Sequence, residues 1–256
     1  MDVKSFCMSN KKSNDKISLV SNSSNIKLEI EFSKTQLEIL YAAEIVMGQK
    51  GIENTSHRDI INLAGQKNTS AILYHFGSIE GVVNALFELR MKVQNQERSE
   101  LLEIILNQED YSNMDLMDAY IDPMYNKVFY DSDWSNWIYF LQNLIISTNG
   151  KKYYADKYRK AAAEIEELFA KKNHIENDKM YSARVSYNAF FFISAIASRK
   201  KQIEETENQF EQNSKKFNSL LDMPLDKENY ISSDAEFLRF LKTTSIFILT
   251  NKESKF

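Results

Sequence analysis

Glycine and proline are scarce in this chain, which has only six glycines and two prolines among 256 residues. An all-β fold needs these residues for its many tight turns, so their scarcity predicts a protein built mainly from helices. No run of apolar residues approaches the roughly 18 that a membrane span requires, and the N-terminus lacks the apolar core of a secretion signal. Cys7 is the single cysteine, which excludes an internal disulfide. We therefore expect a soluble, all-α protein of the reducing cytoplasm.

Sequence signatures of catalysis and metal binding are missing as well. The three histidines and the one cysteine, at positions 57, 75, 174 and 7, do not have the spacing of a metal site. His57-Arg58-Asp59 matches part of the protein-kinase catalytic loop, but Ala64 stands where that motif requires asparagine. The phosphate-binding glycine loop and the nucleophile elbow do not occur either. The sequence therefore predicts that the chain is not an enzyme and uses no metal or cofactor.

Residues 1–31 are rich in serine, asparagine and lysine, and we predict that they form a disordered N-terminal arm. Two interpretations of this arm stay open. It is either a solvated extension or an arm that reaches DNA through Lys11, Lys12, Lys16 and Lys27. Ordered structure is predicted to start at Phe32, because Ser33 and Gln36 have the spacing of a capping box.

The stretch from Asn54 to Gly81 has the pattern of two short helices joined by a tight turn. Ser56 is an N-cap residue for the first helix, and Gly65 ends that helix. In the second helix Ile72 and Phe76 lie four residues apart, so both face inward while the residues between them face outward. Two short helices with a glycine turn and small polar residues at the start of the second are typical of the helix-turn-helix arrangement.

Residues 34–97 resemble the DNA-binding domain of the tetracycline-repressor (TetR/AcrR) family of bacterial transcription regulators. The resemblance rests on ILYAAEIVMGQKGIENTSHRDIINLAG at 39–65, on GQKNTSA at 65–71, on YHFGS at 74–78 and on the long helix predicted from Ser78 to about Asn107. It implies a helix-turn-helix domain over 32–97 and a larger helical domain over 98–256 that binds an effector and dimerises. In this family the long helix transmits ligand occupancy to the DNA-reading helices.

The resemblance also implies which side chains contact DNA. Thr55 and Arg58 correspond to residues that bind phosphate or a groove edge, and Tyr74 and His75 to a pair that commonly binds phosphate. The turn and the start of the recognition helix supply the major-groove contacts, which here are Lys67, Asn68, Thr69, Ser70 and Ala71. Ile79 departs from the family pattern, because a basic, phosphate-binding residue usually stands there.

Charge alone does not indicate a DNA-binding protein. The formal net charge of the chain is −4, whereas DNA-binding domains are often basic. Within residues 54–78, Arg58 and Lys67 oppose only Asp59, so the excess of positive charge is local and small. The prediction of DNA binding therefore depends on the motif.

The region after Arg98 is predicted to be a second helical domain. Pro123 is expected to break or kink the chain between helices over 113–121 and 124–130. The most aromatic segment, 133–147, allows two interpretations: a lining for an apolar or aromatic effector, or ordinary core packing. The candidate pocket residues are Trp134, Trp137, Tyr139, Phe140 and Leu141.

Two later segments, 178–207 and 232–250, are apolar over most of their circumference, so each must be buried on two sides. The resembling family dimerises through its last two long helices, which implies a homodimer through these segments. Burial inside one subunit is the alternative.

The sequence thus predicts a ligand-responsive transcriptional regulator, a repressor that binds a palindromic operator as a dimer. The alternative from another class is a helical small-molecule sensor or interaction protein of the same fold that no longer reads DNA. The low charge and Ile79 favour that alternative.

Overall fold

The computed structural model describes residues 19–20, 27–28, 32–148, 150, 158–214 and 233–251, with side chains over 32–148, 150, 158–208 and 233–251. Within these ranges the chain forms nine α-helices and one pair of two-residue strands. The elements are β1 (Leu19–Val20), β2 (Lys27–Leu28), α1 (Lys34–Lys50), α2 (His57–Leu63), α3 (Ala71–Phe76), α4 (Ile79–Leu106), α5 (Asn113–Tyr130), α6 (Trp137–Ile146), α7 (Lys160–Lys172), α8 (Tyr181–Ser214) and α9 (Asp234–Thr250). The prediction of an all-α fold is confirmed.

The N-terminal arm contains a short antiparallel ladder that the sequence pattern did not predict. Leu19 pairs with Leu28, and Val20 pairs with Lys27. The other residues of the arm, including Lys11, Lys12 and Lys16, lie outside the described residues.

Hydroxyl caps set the starts of the first two helices. Ser33 and Gln36 form a capping box on α1, in which the Ser33 amide donates to Gln36 Oε1 at 2.9 Å and the Gln36 amide donates to Ser33 Oγ at 3.3 Å. Ser56 and Asp59 form the same box on α2. These pairs satisfy amides that a helix start leaves without partners, which is why both helices begin where the sequence predicts.

Helices α1 to α3 and the first half of α4 enclose one apolar core, which we call the head. Its fully buried residues come from all four helices: Ile39, Leu40, Met47, Ile60, Ile72, Val82 and Leu86. Gly81 allows α4 to pass close to the end of α3, because a Cβ atom at Gly81 would lie 1.9 Å from the Phe76 carbonyl oxygen. The short helix α3 is therefore held directly against the long helix α4.

The head is fastened to the rest of the chain at α6 as well as through α4. Asn143 Nδ2 donates to the carbonyl oxygens of Met47 and Gly48, each at 2.8 Å. A Cβ atom at Gly48 would lie 3.2 Å from Tyr139 Cβ and 3.3 Å from the Phe140 nitrogen, so α1 and α6 approach closely there. The absence of a side chain at Gly48 therefore sets the distance between the head and α6.

A buried ion pair adds a third link between the head and the rest of the described chain, from the second half of α4 to α9, which we call the body. Arg90 on α4 donates to Glu44 on α1 through Nε at 2.6 Å and through Nη2 at 3.0 Å. Arg90 Nη2 also donates to the Asp133 carbonyl oxygen at 2.7 Å, and its guanidinium lies 4.4 Å from the Trp134 ring centroid. One side chain thus joins α1, α4 and the turn before α6.

The second half of α4 packs with α5 and α7, while α8 and α9 pack on each other and on α5 and α6. The expectation that Pro123 breaks the chain is wrong, because α5 continues through it from Asn113 to Tyr130. Proline removes the helical donor for the carbonyl four residues earlier. The neighbouring carbonyl, that of Tyr120, accepts a hydrogen bond from Arg98 Nε at 3.2 Å, which ties this weakened turn to α4.

Candidate nucleic-acid interface

Local hydrogen bonds fix the turn between α2 and α3. Gly65 adopts a φ of 67°, a left-handed conformation that favours glycine, and lets the chain reverse after α2. The Gln66 amide then donates to the Ile61 carbonyl at 3.1 Å. Asn68 Oδ1 accepts a hydrogen bond from the Ser70 amide at 2.9 Å, so the Asn68 side chain supports the first turn of α3. The start of α3 is therefore held in one conformation.

Most of the predicted DNA-contacting residues, on α2, in the turn and on α3, are exposed, and we call this set of exposed residues the reading face. Ile72 is fully buried in the head, and the side chains on the opposite side of α3 and in the turn are exposed. Tyr74 is 84% exposed. The other exposed members are Arg58, Lys67, Asn68, Thr69 and Ser70. The sequence prediction that residues between Ile72 and Phe76 face outward is confirmed for Leu73 and Tyr74.

Thr55 and Ala71 lie inside the head and not on the reading face. Thr55 is 8% exposed, and its hydroxyl donates to the Gly51 carbonyl at 2.7 Å. Ala71 is 7% exposed and packs in the apolar core beside Ile72. In this conformation their side chains support α2 and α3 from within, in contrast to the outward position that their place in the family pattern predicts.

The Tyr74 and His75 rings contact each other at the end of α3. Their centroids are 4.8 Å apart at an interplanar angle of 80°, an edge-to-face arrangement. His75 is half-buried, so its ring limits the directions that the exposed Tyr74 ring can take.

Leu73 is a member of the reading face that the sequence analysis did not name. It is 54% exposed in the middle of α3. An apolar side chain on a recognition helix contacts thymine methyl groups in the major groove. Leu73 lies between Ile72 and Phe76, among the residues that the sequence predicts to face outward, and this position could have identified it.

Asp59, the acidic residue closest in sequence to the positive side chains of the reading face, is paired with Lys50 and not with Arg58. Lys50 Nζ lies 2.7 Å from Asp59 Oδ1, and the hydrogen bond from Lys50, followed by those from Ser56, holds the pKa of Asp59 well below its usual range. Arg58 and Lys67 form no ion pair within the described part of the chain. At the start of α4, Ile79 is half-buried and Glu80 is exposed, so this helix start brings no positive side chain.

The five candidate effector residues are mostly part of the core around α6. Trp137 and Phe140 are fully buried and stack at a centroid distance of 5.2 Å and an angle of 20°. Trp134 meets Trp137 edge to face at 6.3 Å, and Leu141 is 2% exposed. Tyr139 is half-buried, and its hydroxyl donates to Glu204 at 2.7 Å. Their mutual contacts correspond to the core-packing interpretation.

A shallow groove of ≈ 310 Å³ lies elsewhere, between α7 and the start of α8. Its lining includes Glu166, Glu167, Glu176 and Tyr181. None of the five candidate residues lines it.

Helices α8 and α9 together present exposed aromatic side chains. Phe191 and Phe240 meet edge to face at 6.0 Å and join the two helices. On their outer side the exposed fractions are 68% for Tyr187, 42% for Phe190, 52% for Phe240 and 64% for Phe247. This aromatic surface lies within the two segments predicted to dimerise.

Metal-binding clusters and membrane spans do not occur among the described residues. These residues contain no group of three or more histidine, cysteine, aspartate or glutamate side chains able to hold a metal ion. None of their helices is both long and apolar enough to cross a membrane.

Residues 39–86 match the family model of the bacterial regulatory proteins of the tetR family. The matched segment runs from α1 through the helix-turn-helix into α4, so it contains the whole reading face. The resemblance seen in the sequence is thereby confirmed for the head, and the match is to a family of regulators and not of enzymes. No curated protein matches the chain.

The solved structures that are similar to the chain include three TetR-family regulators. A putative TetR-family transcriptional regulator from Mesorhizobium loti is 14% identical, with 84% of this chain and 95% of that chain covered and a TM-score of 0.39. PfmR, a TetR-family regulator from Thermus thermophilus, is 16% identical, with 84% and 99% covered and a TM-score of 0.37. A TetR-family regulator from Cytophaga hutchinsonii is 16% identical, with 86% and 96% covered and a TM-score of 0.35.

Proposed function

We propose that the chain is a homodimeric, ligand-responsive transcriptional repressor that binds a palindromic operator in the cytoplasm. The observation that carries this proposal is the reading face, a set of exposed, mostly polar residues on a helix-turn-helix inside the segment that matches the tetR family. The small residues Thr69 and Ser70 allow the start of α3 to approach base edges in the major groove. Tyr74 lies where it can bind a phosphate beside that groove.

The charge of one head is too small for tight binding by itself. Each reading face has two available cations, Arg58 and Lys67. A dimer doubles these contacts and places two recognition helices about one helical turn of DNA apart. Hydroxyl groups and the amides at helix starts supply further phosphate contacts without net charge.

The aromatic surface of α8 and α9 is the surface that we assign to the dimer. Large exposed aromatic patches on a soluble protein mark interaction sites. A two-fold axis would place the same pair of helices from two subunits together as a four-helix bundle. The exposure of Tyr187, Phe240 and Phe247 favours this assignment over burial inside one subunit.

A change in helix positions caused by effector binding in the body can be transmitted to the reading face through two connections. Helix α4 runs from the body to Gly81, where it holds α3, and α1 is fastened to α6 through Asn143. A ligand that prefers one arrangement of these helices shifts the dimer between two head spacings, only one of which fits the operator.

Selection of the purified protein against random double-stranded DNA tests this function. We expect enrichment of a palindrome whose half-sites lie about one helical turn apart. With four available cations per dimer, the logarithm of the binding constant is expected to fall with the logarithm of salt concentration at a slope of roughly −4 or steeper.

The same experiment separates the proposal from the alternative of a sensor that no longer reads DNA. Ile79 and the exposed Glu80 favour that alternative, because they remove a phosphate contact and add a negative charge. A folded dimer that enriches no sequence and shows only weak, unselective binding would contradict the DNA-reading function.

A further inference from the structure

Two polar side chains are buried on one face of α4, in the body of the protein. Gln94 is 0% exposed and Arg98 is 2% exposed. They lie four residues apart on a helix, so their side chains point to the same side. Both lie on the long helix whose start holds α3.

Among the described residues, Arg98 is a buried cation without an anionic partner. Its Nε donates to the Tyr120 carbonyl at 3.2 Å, and its guanidinium lies 5.6 Å from the Tyr120 ring centroid. Its two terminal nitrogens form no hydrogen bond, and the side chain forms no ion pair, within the described part of the chain. Burial accordingly lowers the pKa of Arg98 despite the negative charges nearby.

The carboxylate whose charge acts most strongly on Arg98, that of Glu166, already has other partners. Glu166 on α7 pairs with Arg159, and it accepts a hydrogen bond from the Tyr120 hydroxyl at 2.6 Å. Glu97, the other carboxylate whose charge acts on Arg98, lies 3.1 Å from Lys127 Nζ. Neither carboxylate therefore neutralises the guanidinium directly.

Gln94 gives an independent indication of a missing partner. Both its Nε2 and its Oε1 are fully buried and have no hydrogen-bond partner. A buried amide without partners is costly, and native proteins rarely retain one without a reason. Within the described part of the chain, one helical turn of α4 thus carries a cation without an anionic partner and an amide without a hydrogen-bond partner.

We propose that Arg98 and Gln94 bind the carboxylate of a small organic acid that is the effector of the regulator. The planar guanidinium and the Gln94 amide donor are suited to a carboxylate, which accepts hydrogen bonds through two oxygens in one plane. One negative charge neutralises one buried cation. A phosphate would bring about −1.5 to −2 charges and leave an excess negative charge in the interior.

The surroundings of Arg98 favour an apolar body on this acid. The Tyr120 ring lies beside the guanidinium and meets Phe192 edge to face at 5.5 Å. Leu102, one turn further along α4, is 2% exposed. This assignment deepens the proposed function, on which its regulatory role rests, and it places the acid on the helix that supports α3.

Thermal unfolding of the full-length protein with defined probes tests the site. The probes are sodium acetate, benzoate, phenylacetate and octanoate, each compared with its amide at equal ionic strength and neutral pH. We expect a carboxylate with an apolar body to raise Tm in a saturable manner, because it binds only the folded chain, while its neutral amide does not.

Four variants of α4 test whether the rise in Tm caused by the carboxylates depends on Arg98 and Gln94. Arg98→Met removes the charge but keeps an unbranched side chain, and we expect it to weaken carboxylate binding about tenfold or more. Arg98→Lys keeps the charge without the planar fork, and Gln94→Met removes the amide, so each should bind more weakly than the wild type. Gln96→Met is the matched control, because Gln96 is exposed on the same helix and should leave the Tm shift unchanged.

The results separate this site from the regulatory function. The site is disproved if none of the four carboxylates raises Tm, if the amides raise it equally, or if Arg98→Met responds like the wild type. If the carboxylate effect depends on Arg98 while DNA selection enriches no sequence, the binding site stands and the regulatory function fails. If selection yields an operator while Arg98→Met responds like the wild type, only the site fails.

Discussion

Tyr74 has the largest exposed fraction, 84%, among the described large apolar side chains. Its ring contacts His75, and no described hydrogen bond involves its hydroxyl. An aromatic side chain with so few contacts contributes little to folding, and the proposed function assigns Tyr74 to contact with DNA.

We expect Tyr74→Ala to weaken operator binding about tenfold, which corresponds to about 1.4 kcal/mol, because a phosphate contact and ring packing are both lost. The free energy of unfolding should change by no more than about 0.5 kcal/mol. Tyr74→Phe is the matched variant, and it separates the hydroxyl from the ring. Fluorescence anisotropy with the selected operator measures both affinities, and an unchanged affinity in Tyr74→Ala would contradict a role in binding.

Gly81 is required by a close contact and not by its φ angle. Alanine in the interior of a helix is ordinarily more stable than glycine by about 1 kcal/mol. At Gly81 the added Cβ would lie 1.9 Å from the Phe76 carbonyl oxygen, so α3 or α4 would have to move. We expect Gly81→Ala to destabilise the protein by about 3 kcal/mol in urea unfolding.

Gly65→Ala is the comparison for this effect. Gly65 has a φ of 67° with no atom within 4 Å of an added Cβ, so only backbone strain of about 1 kcal/mol is expected there. Equal losses in the two variants would show that the Gly81 contact is unimportant.

The residue scale also shows where sequence reasoning about the site succeeds and where it fails. Spacing on α3 separates inward Ile72 from outward Tyr74, because helical period is a local property. Burial of Thr55 and Ala71 depends on how α2 and α3 pack on α1 and α4, which spacing within one helix does not reveal. The same limit applies to Trp137, because an aromatic residue that lines a cavity and one that fills a core have the same sequence pattern.

Individual helices are joined by buried charges, and the Glu44–Arg90 pair joins α1 to α4. Both side chains are nearly fully buried, at 3% and 4% exposed. Removal of one partner leaves a buried charge without compensation.

We expect Glu44→Gln to lower the free energy of unfolding by about 3 kcal/mol. The double variant Glu44→Met, Arg90→Met should recover most of this loss, since two apolar side chains of similar length leave no charge behind. Chemical denaturation of the two variants and the wild type checks both outcomes. A double variant as unstable as Glu44→Gln would show that the loss comes from packing and not from charge.

The start of α9 is held by a pH-dependent cluster. Asp234 accepts hydrogen bonds from the Tyr125 hydroxyl at 2.7 Å, the Tyr130 hydroxyl at 2.5 Å and Arg199 Nη2 at 2.6 Å. Burial raises the pKa of Asp234, but the hydrogen bonds from Tyr130, Arg199 and Tyr125 outweigh it, so the pKa lies below its ordinary value of 3.8.

A carboxyl group with a lowered pKa stabilises the folded state above its ordinary pKa, and the stabilisation is lost as pH falls through the lowered value. We therefore expect the wild type to lose stability below about pH 4 more steeply than Asp234→Asn. Thermal unfolding between neutral and acidic pH measures the difference. Parallel curves for the two proteins would contradict the role of Asp234.

At the scale of single helices, the capping residues allowed the helix starts to be predicted from the sequence. The sequence did not allow us to predict whether a helix continues through a proline. Ser33 and Ser56 satisfy amides within three residues of themselves, so the sequence contains the whole interaction. The unbroken course of α5 through Pro123 involves the bond from Arg98, 22 residues away in the chain from its acceptor. A hydrogen bond between residues so far apart in the chain cannot be predicted from the local sequence.

At the scale of the whole molecule, substitutions on the aromatic surface of α8 and α9 test whether the chain dimerises through it. If the proposed dimer forms through this surface, we expect Phe247→Glu to convert it to a monomer at micromolar concentration, because the interface would then bury a charge. Ile104→Glu on α4 is the matched control, with 61% exposure against 64% for Phe247. Analytical ultracentrifugation measures the masses, and a dimeric Phe247→Glu would place the interface elsewhere.

Gly48 has a consequence for protein engineering. Suppose that α1 were replaced by a helix from another protein. Any residue other than glycine at position 48 would bring its Cβ to 3.2 Å from Tyr139 Cβ, so α1 or α6 would have to shift by a few tenths of an ångström. The surface that receives the head therefore includes α6, and a graft designed on the continuous segment from α1 to α4 alone would leave this contact unmatched.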